Sequence, residues 1–373
     1  MYQLQAERKG KGTTKMTELT SYERMKRTYE HKDPDRVPIT DWAWESTLGN
    51  WHKAGIPKDM KWEDYFGLEN IARITELDID TSPRCGKIII EETESYRIEK
   101  DEWGITKKNW KPMSTTPMYL DFEIHDPDSW RIAKERMTPT RDRIDWSFLK
   151  TNYKYWRENN YWIEVGPWFG FDIVNSRTMG TETTLMAMVD DPEWIRDMVD
   201  TGCDLALSLL DMIWDEGYEF DELLFYDDLG YKGNLLISID MYRDLVKPYQ
   251  KRAIEWAHAK GLKTQLHSCG KVEPLIPDFI GIGLDCLNPL EVKAGMDTIK
   301  IKNEFGKDLA LRGGFDIRNW TDPETAEEDI RAKLPALMEG SGYIFSSDHS
   351  IADTVTIPTY KHIVEVVKEL GKY

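Results

Sequence analysis

Residues 261–270 read Gly261-Leu262-Lys263-Thr264-Gln265-Leu266-His267-Ser268-Cys269-Gly270. A helix opened by Ser238 runs to about Lys260, and Gly261 stands just past its end, where a left-handed residue closes a helix. Residues 263–266 then form a short strand. It stops at a polar, Gly-terminated end, His267-Ser268-Cys269-Gly270. The same unit repeats on both sides. Strands at 161–165, 223–226, 284–287, 309–311 and 343–345 each run into a turn or polar segment before the next helix. Asp191-Pro192-Glu193 and Asp322-Pro323-Glu324 open two of the helices, with Pro near the first helical position. The last helix covers about 358–370.

Six strand–helix units in a row, with a further strand at 37–39, imply a parallel sheet. In a chain of 373 residues the reading is α/β, with a closed eight-stranded barrel favoured over an open sheet. No Gly-x-Gly-x-x-Gly follows a strand, so a dinucleotide site has no support. Thr20-Ser21-Tyr22-Glu23 has capping-box spacing and opens a first helix. Residues 42–75 read as loop and helix. Strands at 88–90 and 96–98, and a third after the turn 101–104, read as an antiparallel hairpin insert near the N-terminus. Residues 1–17 read as a disordered tail before a single domain, 18–373.

Composition narrows the function. Lys and Arg total 49 against 67 Asp and Glu, a net charge of −18, which argues against nucleic acid or another polyphosphate. No run approaches the ~18 apolar residues of a membrane span. The start shows no apolar segment of a secretory leader, and four cysteines in so long a chain do not make a disulfide framework. A cytoplasmic protein with free thiols is expected. Fifteen Trp supply core and surface aromatics, or the walls of a pocket for a flat ligand.

In barrels the chemistry sits at the C-terminal strand ends. Here those ends carry Asp227, Asp228, His267, Cys269, Asn288, Asp316, Asp348 and His349. His267 and Cys269 lie two apart, so both can point into the barrel mouth, and imidazole and thiolate both ligate zinc. A third ligand is then needed. Asp348, Asp228, Cys286 and His349 are all available, and the spacing does not choose. Of Asp227 and Asp228, at most one faces the pocket while strand geometry lasts; a cap or turn is the plain alternative for the pair. His258 and Cys203 read as structural.

These segments also resemble the uroporphyrinogen decarboxylase superfamily, from about residue 18 onward. The resemblance rests on Tyr22-Glu23-Arg24-Met25, Asp33-Pro34-Asp35-Arg36-Val37-Pro38, Gly166-Pro167-Trp168-Phe169, Asp191-Pro192-Glu193, His267-Ser268-Cys269-Gly270 and Gly313-Gly314-Phe315-Asp316. It implies a distorted (β/α)8 TIM barrel. The superfamily's decarboxylases carry an Arg-rich segment after the first strand. Here that segment is Thr40-Asp41-Trp42-Ala43-Trp44-Glu45-Ser46, acidic and aromatic, which would repel a porphyrin's carboxylates. The chain is more similar to the cobalamin-dependent methyltransferase branch.

That branch implies zinc on a His-x-Cys pair, matched by His267 and Cys269, and a Cys near the last strand. The third position departs: Asp348-His349 stands there, so Asp348 is the expected ligand. A carboxylate leaves zinc a stronger Lewis acid, suited to an oxygen substrate. The expected activity is O-demethylation: a methyl group moves from a small methoxylated, aromatic compound to the cob(I)alamin of a partner corrinoid protein. Asp228 and His349 would supply the acid. Trp44, Trp168, Phe169 and Asp227 would hold the substrate, with Trp42 in the same mouth. A homodimer is implied by the resemblance alone. The alternatives are a decarboxylase of a smaller, non-porphyrin acid, a methylcobamide:thiol methyltransferase, and a barrel that binds a tetrapyrrole without turnover.

Overall fold

The computed structural model describes residues 18–111 and 117–373; the tail expected at 1–17 lies outside them. In chain order the strands are β1 (Ile71–Ile74), β2 (Ile88–Glu92), β3 (Tyr96–Lys100), β4 (Ile105–Trp110), β5 (Met118–Phe122), β6 (Trp162–Val165), β7 (Glu222–Tyr226), β8 (Gly230–Tyr231), β9 (Asn234–Leu235), β10 (Lys263–His267), β11 (Cys286–Asn288), β12 (Ala310–Arg312) and β13 (Tyr343–Ile344). Seven of them form one parallel sheet in the order β1-β6-β7-β10-β11-β12-β13. Residues 38–40 are the eighth stave. Thr40 N donates to Phe345 O (3.0 Å) and Phe345 N to Pro38 O (2.9 Å) on one side, while Glu69 N donates to Ile39 O (3.0 Å) on the other. The ring closes as a distorted (β/α)8 barrel. Its first strand, expected at 37–39, is reduced to a single bridge, Ile39 to Phe345.

The barrel strands are short because both faces are buried. Leu223, Leu224 and Phe225 are inaccessible or nearly so, as a parallel sheet covered by helices requires. Helix Ser21–Tyr29, held by the Thr20/Glu23 capping box, plugs the N-terminal end. Its Met25 and Tyr29 pack inside against Trp162, Cys286, Ala310 and Ile344. Above this plug the interior is charged. Glu164 accepts from Arg312 Nη1 (3.0 Å) and Arg73 Nε (3.1 Å), and Glu222 accepts from Trp162 Nε1 (2.6 Å). The Arg312 and Arg73 guanidinium groups lie 4.3 and 4.9 Å from the Trp42 ring, carrying the charged layer up to the mouth.

Three segments differ from the sequence reading. The insert has four antiparallel strands, in the order β2-β3-β4-β5, because residues 118–122 add a strand. Residues 42–75 contain β1, whose Arg73 breaks the apolar run and pairs with Glu164 of the neighbouring β6 and with Glu63. The helix expected over 238–260 has a π-helical turn, Tyr242–Val246, before helix Lys247–Ala259. Pro248 cannot donate to Asp244 O; Arg196 Nη1 donates there instead (3.0 Å). No helix among the described residues is long and apolar enough to cross a membrane.

Candidate active site

The C-terminal mouth of the barrel opens into a cavity of about 510 Å³. Strand alternation decides what faces it. On β10, Gln265 and His267 point inward and Leu266 outward; on β11 the inward residues are Cys286 and Asn288. His267 Nδ1 lies 2.6 Å from Asn288 Oδ1. The amide oxygen can only accept, so Nδ1 carries the proton and the Nε2 lone pair is free. That lone pair faces Cys269, whose Sγ is 3.4 Å away.

Beyond the strand end the backbone turns at Gly270, with φ +83°, where a Cβ would lie 2.1 Å from the carbonyl carbon of Gly230. Only glycine permits this approach. The turn is tied by Gly270 N to Glu291 Oε2 (2.6 Å) and by Cys269 N to Asp228 Oδ1 (2.7 Å). Asp228, His267 and Cys269 therefore converge: one ligand atom from each lies within 4.8 Å of the others. This is the one such group of at least three among the described residues. Burial and the nearby carboxylates of Asp228 and Glu291 push the Cys269 thiol well up, so this chain alone keeps it protonated. A bound cation would reverse that.

Asp348, expected beside His267 and Cys269, is not part of this cluster. Asp348 is fully buried and accepts from Val292 N (2.9 Å) and Ile317 N (3.0 Å). It staples the loops after β11 and β12 to the end of β13 and does not reach the mouth. Asp228 stands beside His267 and Cys269 instead. Cys286 is shut into the floor of the barrel. His349 reaches the cavity but is not part of the cluster. Its ring is 5.9 Å from that of Trp44, and burial together with the charge of Lys293 lowers its pKa.

Asp227 faces away from the mouth, as alternation requires. It is fully buried and accepts from Tyr249 Oη (2.6 Å), Gln250 Nε2 (2.8 Å) and Asp172 N (2.9 Å). Burial lifts it to about 6. It fixes the loop after β6 to the helix after β7 and does not line the cavity. Phe169 is also removed from the mouth, stacked on Phe225 at 5.9 Å. Trp44 and Trp168 do line the cavity, and so does Trp42.

The sequence reading missed several wall residues. Asp172 is the clearest. It follows Gly170 on the first turn beyond β6, and burial beside Asp228 and Asp227 raises it to about 8. Glu76, raised by burial, and Arg177, whose guanidinium lies 4.8 Å from the Trp168 ring, complete that side. Asp41 sits across the mouth, accepting from Ser347 Oγ (2.6 Å) and Tyr360 Oη (3.2 Å), and burial lifts it to about 6. The only signal for Asp172 was a carboxylate close behind Gly166-Pro167-Trp168-Phe169.

Comparison with known proteins agrees with this architecture. A family model described as uroporphyrinogen decarboxylase (URO-D) matches residues 166–370, a span that includes Asp172, Asp228, His267, Cys269 and His349. No curated protein sequence matches the chain. Among solved structures, a methyltransferase from Methanosarcina mazei has a TM-score of 0.63 at 16% identity, over 94% of this chain and 99% of that one. A Listeria monocytogenes protein, described as a vitamin-B12-independent methionine synthase, has a TM-score of 0.41 at 13% identity, over 91% and 98%.

Proposed function

The chain belongs to the uroporphyrinogen decarboxylase family, and within that family we propose that it is a zinc-dependent methyltransferase. Its proposed reaction moves a methyl group from a small methoxylated aromatic compound to the cob(I)alamin of a partner corrinoid protein. The observation that carries this reading is the Asp228/His267/Cys269 cluster on the wall of the mouth. One imidazole, one thiol and one carboxylate are a zinc donor set, and three protein ligands beside an open cavity are the pattern of a catalytic site. Asn288 holds His267 in the tautomer that ligation needs. When bound, zinc supplies Lewis acidity toward an ether oxygen and stabilises the leaving phenolate.

The chain's own residues do the rest. Trp44 and Trp168 offer faces for one aromatic ring, and the cavity of about 510 Å³ suits a ligand of that size. Four carboxyl groups, Asp41, Glu76, Asp172 and Asp228, stand in the wall against one guanidinium, Arg177. That balance disfavours a substrate with many carboxylates. In the metal-free chain Asp172 holds a proton at neutral pH and is the wall group able to pass one to a leaving oxygen. His349 is neutral and can orient the substrate through a ring nitrogen.

The test supplies zinc-loaded protein with methoxybenzenes and reduced cobalamin, free or on a corrinoid protein, and follows the cobalamin spectrum. Methyl transfer that disappears in His267→Ala and Cys269→Ala is expected. Zinc-loaded protein that demethylates none of the ethers offered would overturn the reading. Release of carbon dioxide from a small acid by metal-free protein would replace it with a decarboxylase.

A further inference from the structure

We propose that strand β2 pairs edge to edge with β2 of a second copy of this chain, joining the two insert sheets into one antiparallel sheet across a two-fold axis. Among the described residues β2 has a single neighbour, β3, so one side of its backbone faces outward. Its central residues are three consecutive isoleucines, Ile88, Ile89 and Ile90, exposed by 55, 53 and 58%. An exposed, apolar edge strand is a template for another strand, and proteins ordinarily blunt such edges with charge or proline. Here the charges flank the apolar run instead of interrupting it.

The flanking charges select both partner and register. Lys87 precedes the isoleucines and Glu91 follows them. An antiparallel pairing centred on Ile89 sets Ile89 against Ile89 of the second copy and Ile88 against Ile90. It also sets Lys87 against Glu91, twice by symmetry. A parallel pairing would set like charges together. The edge is thus complementary to itself and needs no other partner, as a two-fold interface must be. The ladder to β3 steps from Ile89↔Glu99 to Glu91↔Ile98, a bulge that leaves Ile90 without an opposite residue on β3 and bends the strand there; it does not remove the exposed isoleucine side chains that the pairing uses. Lys87 is 3.7 Å from Glu102, with both side chains about half exposed, so it can turn to a new partner at little cost.

A pair of five-residue strands buries less than the roughly 1,200 Å² of a stable interface. The dimer is therefore weak and dissociates on dilution. The inference is independent of the proposed activity.

The test is sedimentation velocity on the full chain over a dilution series. Wild type is expected to shift from dimer to monomer on dilution. Ile89→Lys should be monomeric throughout. Lys87→Glu alone and Glu91→Lys alone should each weaken association about tenfold, through two repulsive contacts. An equimolar mixture of those two variants should dimerise again, because each repulsive edge then meets its complement. These side chains are exposed, so circular dichroism and zinc content should match wild type. A wild type that stays monomeric at every concentration, or a dimer that Ile89→Lys leaves intact, would overturn the proposal. Single charge variants without effect would overturn the register.

Discussion

Asp228 and Asp348 both follow a barrel strand, and substituting each separately should give opposite results. In Asp348→Ala, two backbone N–H groups, the half-buried one of Val292 and the buried one of Ile317, lose their acceptor. Each orphaned donor costs about 1–3 kcal/mol, so the loss is about 2–6 kcal/mol. At about 2 °C per kcal/mol for a chain of this size, the melting temperature falls by about 4–12 °C. Zinc content at low temperature should be unchanged, because this carboxylate does not reach the mouth. In Asp228→Ala, the Cys269 N–H loses its acceptor at a half-buried site, worth about 1 kcal/mol. Zinc affinity, however, should fall by at least about 100-fold, the upper range for changes behind the ligands themselves. Differential scanning calorimetry reads the first quantity. Competition with a chromophoric chelator reads the second. If Asp348→Ala lost zinc while folded, and Asp228→Ala kept it, the assignment of the third ligand would be wrong.

Three further outcomes follow from the same geometry. Asn288→Ala should weaken zinc binding about 10–100-fold, because it frees the His267 tautomer rather than removing a ligand, and should also lower the melting temperature by several degrees, because the buried amide no longer donates to Arg312 O; chelator competition on the folded variant decides. Gly270→Ala should stay folded but lose zinc, since a Cβ there forces the loop away from Gly230, and elemental analysis beside circular dichroism would show it. Asp227 titrates near 6 in the folded chain, above its ordinary 3.8. The folded state therefore binds the extra proton, and stability is lost as pH rises from about 4 to about 6, by up to about 3 kcal/mol from this group. The pH dependence of urea midpoints should be shallower over that window in Asp227→Asn, and an unchanged slope would exclude Asp227 as the source.

The parallel strands were readable because burial on both faces makes them short apolar runs between helices. Residues 223–226 and 263–266 sit within a residue of β7 and β10. β1 was not readable. Ile71-Ala72-Arg73-Ile74 looks like half of a polar segment until β6, distant in sequence, sets Glu164 beside Arg73 and the Trp42 ring covers the guanidinium. The same applies to β5, whose exposed Met118 and Leu120 mimic a loop. Local pattern reports the burial of a residue's own face and cannot report a partner ninety residues away.

The site divides along the same line. His267 and Cys269 could be read together because period-two alternation places both on one face of a single strand end, and Gly270 marks the turn that follows. Asp227 and Asp228 could be sorted as a pair by alternation, though which of them turned inward could not. Tyr226 lines the cavity, so Asp227 points to Tyr249 and Gln250, and Asp228 returns to the mouth. After β13 the alternation is lost, since Ser346, Ser347, His349 and Ser350 all line the cavity, but Asp348 among them turns to the N–H groups of Val292 and Ile317. The choice between Asp228 and Asp348 thus depends on where each chain leaves its strand. That is set by ladder bonds, Asp227 N to His267 O and Asp348 N to Phe315 O, which join strands that are distant in sequence. An acidic residue one place from an inward-facing position is a staple, and one at that position joins the cluster at the mouth; the barrel's register, more than residue type, assigns the two places.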